Sequence, residues 1–315
     1  MAPAWVFTWH SEARSLSHLI PMKISVYLVL AAFGLLASPL RADDAPAPKP
    51  SADEAPASAA NDLKALVERQ RGLLTAAGSK ASQSELEDLH MQFQELCNDY
   101  ERFLDKYPNL AAGYVSYALF LSKPVIDERK RAAVLLLKAN QLNSDLPVVK
   151  NQLGNYLAEQ GKPIEALNYY LSAVKLAPKE PLYHYQIGAL LTEARDDFLK
   201  AGEWTRATLD KSMQDAFEQA MTLSPGNIQY AYRYCESFYD LEIPDWEAAL
   251  INWRLLEGKV SAALEKQTIC LHEANVLIKQ GKMTEARGLL ARVDKETLQT
   301  QKQKLVAELE AAAKK

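Results

Sequence analysis

The chain has 315 residues, of which 48% are hydrophobic and 24% charged, enough apolar material for a sizeable core. A formal charge of −4 excludes a general electrostatic grip on nucleic acid. Twelve Gly and fifteen Pro are too few for the frequent turns of an all-β protein, and three Cys cannot close a disulfide framework.

In chain order, residues 24–37 read ISVYLVLAAFGLLA, an uncharged run preceded by Lys23. It is short of the roughly 20 residues that span a bilayer and suits the apolar core of a secretory signal. Small Ala42 provides a cleavage edge, so residues 1–42 read as addressing and the mature chain as starting near Asp43. Residues 1–21 hold two Trp, two His and Glu12, unusual for a signal's leading end, which makes Met22 the expected translation start. Loss of residues 1–42 brings the net charge to −6. No Cys follows the apolar run to carry a lipid, and no Asn-x-Ser/Thr acceptor occurs, so the expected destination is a bacterial periplasm. An uncleaved signal anchoring the chain to the inner membrane is the alternative.

Residues 43–60, DDAPAPKPSADEAPASAA, lack side chains that could repay ordering. They read as a disordered Ala/Pro spacer of about 3 Å per residue, or on the order of 50 Å. From 61 to 108 the pattern is helical. Asp62 is placed to cap a helix carrying Leu63, Leu66, Val67, Leu73 and Leu74, broken at Gly78-Ser79. Ser82-x-x-Glu85 has the form of a capping box and opens a second helix, with Leu86, Leu89, Phe93, Leu96, Tyr100 and Phe103 on one face.

Residues 109–293 repeat. The clearest unit runs from Pro147 to Lys179, with Leu153-Gly154 and Leu157 in its first helix, a turn at Gly161, Ala166, Tyr170 and Ala173 on one face of its second, and Pro178 to end it. Small residues at Gly154 and Ala166 let the two helices cross closely. The next unit keeps Ile187-Gly188, Leu191, Phe217, Ala220 and Pro225, but 37 residues separate Gly188 from Pro225 against 24 from Gly154 to Pro178. The surplus is an insertion within 192–213, expected as two lengthened helices projecting from the stack with a bend near Gly202. Weaker units hold Tyr234, Cys235, Phe238, Ala249 and Trp253; then Ala274, Leu277, Gly281, Ala286 and Leu290; and, upstream, Ala118, Ala132, Leu136 and Ala139. Residues 294–315, with Leu298, Leu305 and Leu309, read as a capping helix.

This succession resembles the tetratricopeptide repeat, although Lys150 stands where that pattern has Trp and Leu157 where Tyr is usual. The resemblance implies an all-α, right-handed superhelical solenoid of antiparallel helix pairs. It also implies a protein or peptide partner held in a groove lined by the first helices. Carried onto this chain, Asn151, Asn155 and Glu159 face that groove, followed by Tyr185, Ala189 and Glu193, then Tyr232, Arg233, Glu236 and Tyr239, then Asn275 and Lys279. Asn155 and Arg233 match two sites of the carboxylate clamp some members possess. Asn151 stands where that clamp has Lys and Gln186 where it has Asn, so that specificity is not expected.

The sequence offers no nucleophile elbow, phosphate-cradling loop or metal-ligand spacing. His272-Glu273 begins like a zinc-protease motif, but Val276 stands at the second histidine position. No catalytic residue, cofactor or metal is therefore expected. Asp196 and Asp197, the best carboxylate pair for a cell-wall-acting enzyme, are adjacent on a helix and point apart. Self-assembly is a further alternative, through Trp204, Trp246, Trp253 and the C-terminal helix as a homodimer face. Cys235 and Cys270 lie about one repeat apart, which leaves a disulfide open.

Overall fold

The computed structural model describes residues 57–78 and 83–312, excluding the side chains of 83–86. The leader, its cleavage edge, the Met22 start, most of the 43–60 spacer and Ser82 lie outside those residues. The described residues are helical throughout, with no strand among them, and fall into two compact units, 57–244 and 245–312.

The first unit opens with α1 (Ala57–Ala77) and α2 (Gln83–Lys106). Helix therefore begins inside the expected spacer, at Ala57. Three consecutive small residues there, Ser58, Ala59 and Ala60, are good enough helix formers to extend α1 once its apolar face is packed, and Ala59 is fully buried. Asp62 is consequently not a cap. It accepts hydrogen bonds from Lys106 Nζ and the Tyr107 hydroxyl, both at 2.9 Å, and ties the start of α1 to the end of α2. The Lys106 hydrogen bond, and after it that from Tyr107, holds its carboxyl below the ordinary range. Tyr100 stacks on Tyr117 at 4.9 Å and donates to Gln70 Oε1 at 2.7 Å, joining α1 and α2 to the first repeat.

Helix pairs follow: α3 (Ala111–Leu121) with α4 (Arg129–Leu142), and α5 (Pro147–Glu159) with α6 (Pro163–Leu176). The turn between α5 and α6 closes at Gly161, whose φ of 70° suits glycine. The close crossing is visible at Gly154: a Cβ there would lie 2.6 Å from the Tyr170 ring. Gly188 repeats the arrangement one unit later, 2.7 Å from Phe217. Aromatic rings on the second helices thus fill the space that glycines on the first helices leave.

The third pair is α7 (Pro181–Glu193) and α9 (Arg206–Leu223), with α8 (Arg195–Ala201) between them. Here the expectation of two projecting, lengthened helices fails. α7 has the same 13 residues as α5. The added residues instead form a separate short helix and lengthen only α9. Gly202 makes the bend in the left-handed region (φ 79°), and Thr205 and Thr208 cap α9 reciprocally. The physical reason is that the insertion carries its own anchors: Phe198, Leu209 and Met213 are fully buried, so it folds back onto the stack. α10 (Ile228–Ser237) and a 3-10 turn at Phe238–Asp240 complete this unit.

The second unit comprises α11 (Trp246–Glu257), α12 (Ala263–Lys279), α13 (Met283–Ala291) and, after a 3-10 turn at Glu296–Leu298, α14 (Gln299–Ala312). α14 packs on α12 and α13 with Leu305 and Leu309 buried. Trp253 is fully buried, which removes it from any dimer face. Its indole stacks on His272 at 4.2 Å, and burial drives the His272 imidazole down to about 3. Cys97, Cys235 and Cys270 are all free thiols, so the Cys235–Cys270 disulfide is absent. Cys270 points its thiol at Glu257 Oε1, 3.6 Å away, within its own unit.

Candidate functional site: a cleft between successive repeats

Asn151, Asn155 and Glu159 recur every fourth residue on α5, which places them on one stripe of that helix. They are not equivalent. Asn151 is buried at 1% exposure, and its amide oxygen has no hydrogen-bond partner among the described residues. Asn155 is half-buried; its amide oxygen accepts from the Tyr170 hydroxyl at 2.7 Å and its amide nitrogen donates to Gln152 Oε1 at 3.3 Å. Glu159 is exposed and pairs with Arg129 Nη1 at 2.8 Å. Asn155 and Glu159 line a cleft of about 180 Å³, together with Gln152 and Tyr156 of α5, Ser122 at the end of α3, and Arg129, Ala132, Ala133 and Leu136 of α4.

The α4 half of this cleft was not among the sequence candidates. A signal for it exists. A shift of 34 residues sets Ala133 against Leu167 and Leu136 against Tyr170. The earlier repeat carries the smaller side chain at both positions, and Ala133 and Leu136 both line the cleft. The loop that enters α4 adds a second cue. Asp127 has φ 55°, the only positive value of a non-glycine among the described residues. From there its carboxylate accepts from Arg129 Nε at 2.7 Å, so Arg129 is held between Asp127 and Glu159. Those two carboxylates, Glu159 first, hold the guanidinium still more firmly protonated than usual.

The remaining sequence candidates divide. Tyr185 is half-buried, with its ring edge-on to Phe217 at 5.7 Å and 5.3 Å from Tyr230; burial raises its hydroxyl pKa. Tyr232 is a correction: it is buried at 6% exposure, and burial drives its hydroxyl well above the usual value, so it is a packing residue and not a free groove surface. Helix α10 has buried residues on most of its circumference, which sequence periodicity did not reveal. Asn151 is likewise too deeply buried to meet a partner directly. Glu236 and Tyr239 are partly exposed.

Arg233 is committed within the fold. It donates to Thr192 Oγ1 at 3.0 Å and Asp240 Oδ2 at 2.9 Å, and lies 4.3 Å over the Phe217 ring. It belongs to a partly buried network that fastens the insertion. Arg206 donates to Asp210 Oδ1 at 2.8 Å and to the Asp240 carbonyl at 2.6 Å; Arg195 reaches the same carbonyl at 3.0 Å; and Asp210 accepts the Glu242 amide at 2.7 Å. Burial, and after it Arg206, lowers the Arg195 pKa.

No group of three or more His, Cys, Asp or Glu able to hold a metal occurs among the described residues. No described helix is long and apolar enough to cross a membrane.

With this geometry in hand, solved structures supply the comparison. PilF of Pseudomonas aeruginosa matches at a TM-score of 0.54 and 15% identity, over 80% of this chain and 99% of that one. PilW, described as a widely conserved type IV pilus biogenesis factor, matches at 0.53 and 12%, over 78% and 99%. YrrB, described as a tetratricopeptide repeat protein with an unusual peptide-binding site, matches at 0.50 and 14%, over 62% and 90%. The chain has the tetratricopeptide repeat fold. Among the described residues it is an all-α helical repeat solenoid. No family model and no curated protein matches its sequence.

Proposed function

We propose that this chain is an exported, non-enzymatic scaffold that binds a protein or peptide partner along the face carrying Asn155, Glu159, Tyr185, Glu236 and Tyr239. The observation that carries the reading is the cleft between α4 and α5. There Asn155 and Glu159 of one first helix meet Ala132, Ala133 and Leu136 of the preceding second helix. Half-buried Tyr and Asn side chains suit this task, because they give contact area and hydrogen bonds at little rotamer cost. The peptide-binding site for which YrrB is named is consistent with it. Export to the periplasm rests on the signal-like run at 24–37 and the spacer after it.

A photocrosslinking amino acid placed at Asn155 or Ala189 in the source cell, with Leu171 as control, tests the binding face. Leu171 is exposed on α6, a second helix. One protein adduct at the first two positions and none at the control is expected; equal adducts at all three, or none, overturn the reading. Fractionation of the same cells tests export, and retention of the unprocessed chain in the cytoplasm refutes it.

Self-association is the second reading. Ile251 and Leu255 are exposed one turn apart on α11, at 54% and 61%. Light scattering that shows a monomer at high concentration rejects it.

A further inference from the structure

We infer that the cleft between α4 and α5 receives one long basic side chain, Arg or Lys, of an extended peptide segment of the partner. The inference rests on the groove reading above and names the chemistry that reading leaves open.

Three features of the cleft converge on this occupant. Its floor is small and apolar: Ala132, Ala133 and Leu136 are each exposed by 5% or less. A cleft of about 180 Å³ exceeds the roughly 150 Å³ that admits a benzene-sized group, so it has room for an extended aliphatic stem. At its mouth the Arg129 cation sits between two carboxylates, Glu159 in the cleft lining and Asp127 in the loop before α4, so this three-residue cluster carries one net negative charge. Glu159 and Tyr156, three residues apart on α5, both line the cleft, so a carboxylate and an aromatic side chain border the same opening. Methylene groups on the floor and a charged head at a wet, acidic rim are how Lys and Arg bury a stem while keeping their charge solvated.

An incoming cation competes with Arg129 for Glu159. Arg129 can give way without becoming unpaired, because Asp127 holds its Nε from the other side. Asp127 offers this second carboxylate from a left-handed backbone conformation, φ 55°, which Asp tolerates better than most residues. The exchange therefore swaps one exposed ion pair for another and leaves no charge stranded. Glu193, exposed on α7, and Glu236, half-buried on α10, extend the acidic character along the same face and favour a basic segment over an acidic one.

The competition gives the test a signature of opposite signs. Phage-displayed random dodecapeptides are selected on the immobilised full chain, and a retained peptide is synthesised with a fluorescent label. Retained peptides should be enriched in Arg or Lys at one register. Arg129→Gln should tighten binding of the labelled peptide and Glu159→Gln should weaken it, each by up to about fivefold, the range of an exposed ion pair. Both changes should shrink in added salt. Ala133→Leu, which installs the side chain the following repeat has at Leu167, should abolish binding by filling the floor. Melting curves of all three variants check that the fold is kept, and the two rim variants carry the test if Ala133→Leu does not fold. Peptides without basic residues that ignore both rim variants, or an aromatic peptide lost only in Ala133→Leu, overturn this inference and leave the groove reading standing. An acidic peptide that reverses the two signs does the same. Retention of no peptide at all overturns both.

Discussion

The glycine–ring crossing at the centre of two successive repeats makes a sharp prediction, because glycine-to-alanine replacement should have opposite signs at two places. Gly154→Ala adds a methyl group 2.6 Å from two carbons of the Tyr170 ring, where ordinary contact begins at 3.4 Å. The ring must retreat by about 0.8 Å in an interior packed as densely as a crystal. Tyr170 has little freedom to do so: it is 3% exposed, and its hydroxyl is held by Asn155 at 2.7 Å. Overpacking of this kind costs about 1–3 kcal/mol. The gain from replacing glycine in a helix offsets roughly 1 kcal/mol of that. The expected net is a loss of up to about 2 kcal/mol at low urea. Gly72→Ala, in the interior of α1 with nothing within 4 Å of the new methyl group, should instead gain about 0.5–1 kcal/mol. A stacked array of repeats need not unfold in one step, so the urea curves should be paired with residue-resolved hydrogen exchange. In Gly154→Ala the loss should appear first in the amides of α5 and α6. Trimming the ring with Tyr170→Leu in the same chain should make the two changes non-additive. If Gly154→Ala stabilises the protein as Gly72→Ala does, the close-crossing argument is wrong.

Further outcomes follow from buried polar groups. In the second unit, Glu273 is 2% exposed, and burial, with help from Glu257, raises its carboxyl to about 7. A raised acid favours the protonated folded state, so its contribution is fully present below about pH 4.5 and is lost as pH rises to about 7. His272 works in the other direction: its lowered pKa costs stability as pH falls below about 6.5. The two nearly cancel between about pH 4.5 and 6.5, so the unit's stability should be flat there. Glu273→Gln should expose the His272 slope and raise stability at pH 8 by up to a few kcal/mol; a variant curve as flat as the parent's in a urea titration across pH refutes this. Asp210→Ala removes an acceptor of Arg206 and that of the Glu242 amide, and should cost on the order of 3 kcal/mol because the partly buried guanidinium keeps the Asp240 carbonyl but loses its carboxylate. Its effect should be seen as faster hydrogen exchange in α8 and α9. Thiol titration in denaturant without reductant should find three free thiols, and finding one would restore the Cys235–Cys270 bridge.

Local rules were enough for the helices and for the repeat. Pro147, Pro163 and Pro181 each sit at the first position of a helix, and Gly161, Gly202 and Gly281 each adopt a positive φ at a turn. Those preferences act within a few residues, so they are readable in order along the chain. The pairing of Gly154 with Tyr170 was readable too, because it recurs as Gly188 with Phe217. What sequence could not settle was which polar side chains face outward. Tyr232 and Asn151 occupy positions that repeat geometry assigns to the groove, yet both are buried, because neighbouring helices cover them. Arg233 looked available for a ligand and is instead spent on Asp240 and Thr192, partners 7 and 41 residues away.

The sequence by itself determined a solenoid of helix pairs, since helix periodicity and a small-residue recurrence are both local signals. Only the tertiary structure decided that the insertion folds back on buried Phe198 and that a cleft opens between α4 and α5. Both depend on the volumes of side chains brought together from separate helices, and volume left unfilled across a contact is a property of the packed pair that neither helix carries alone.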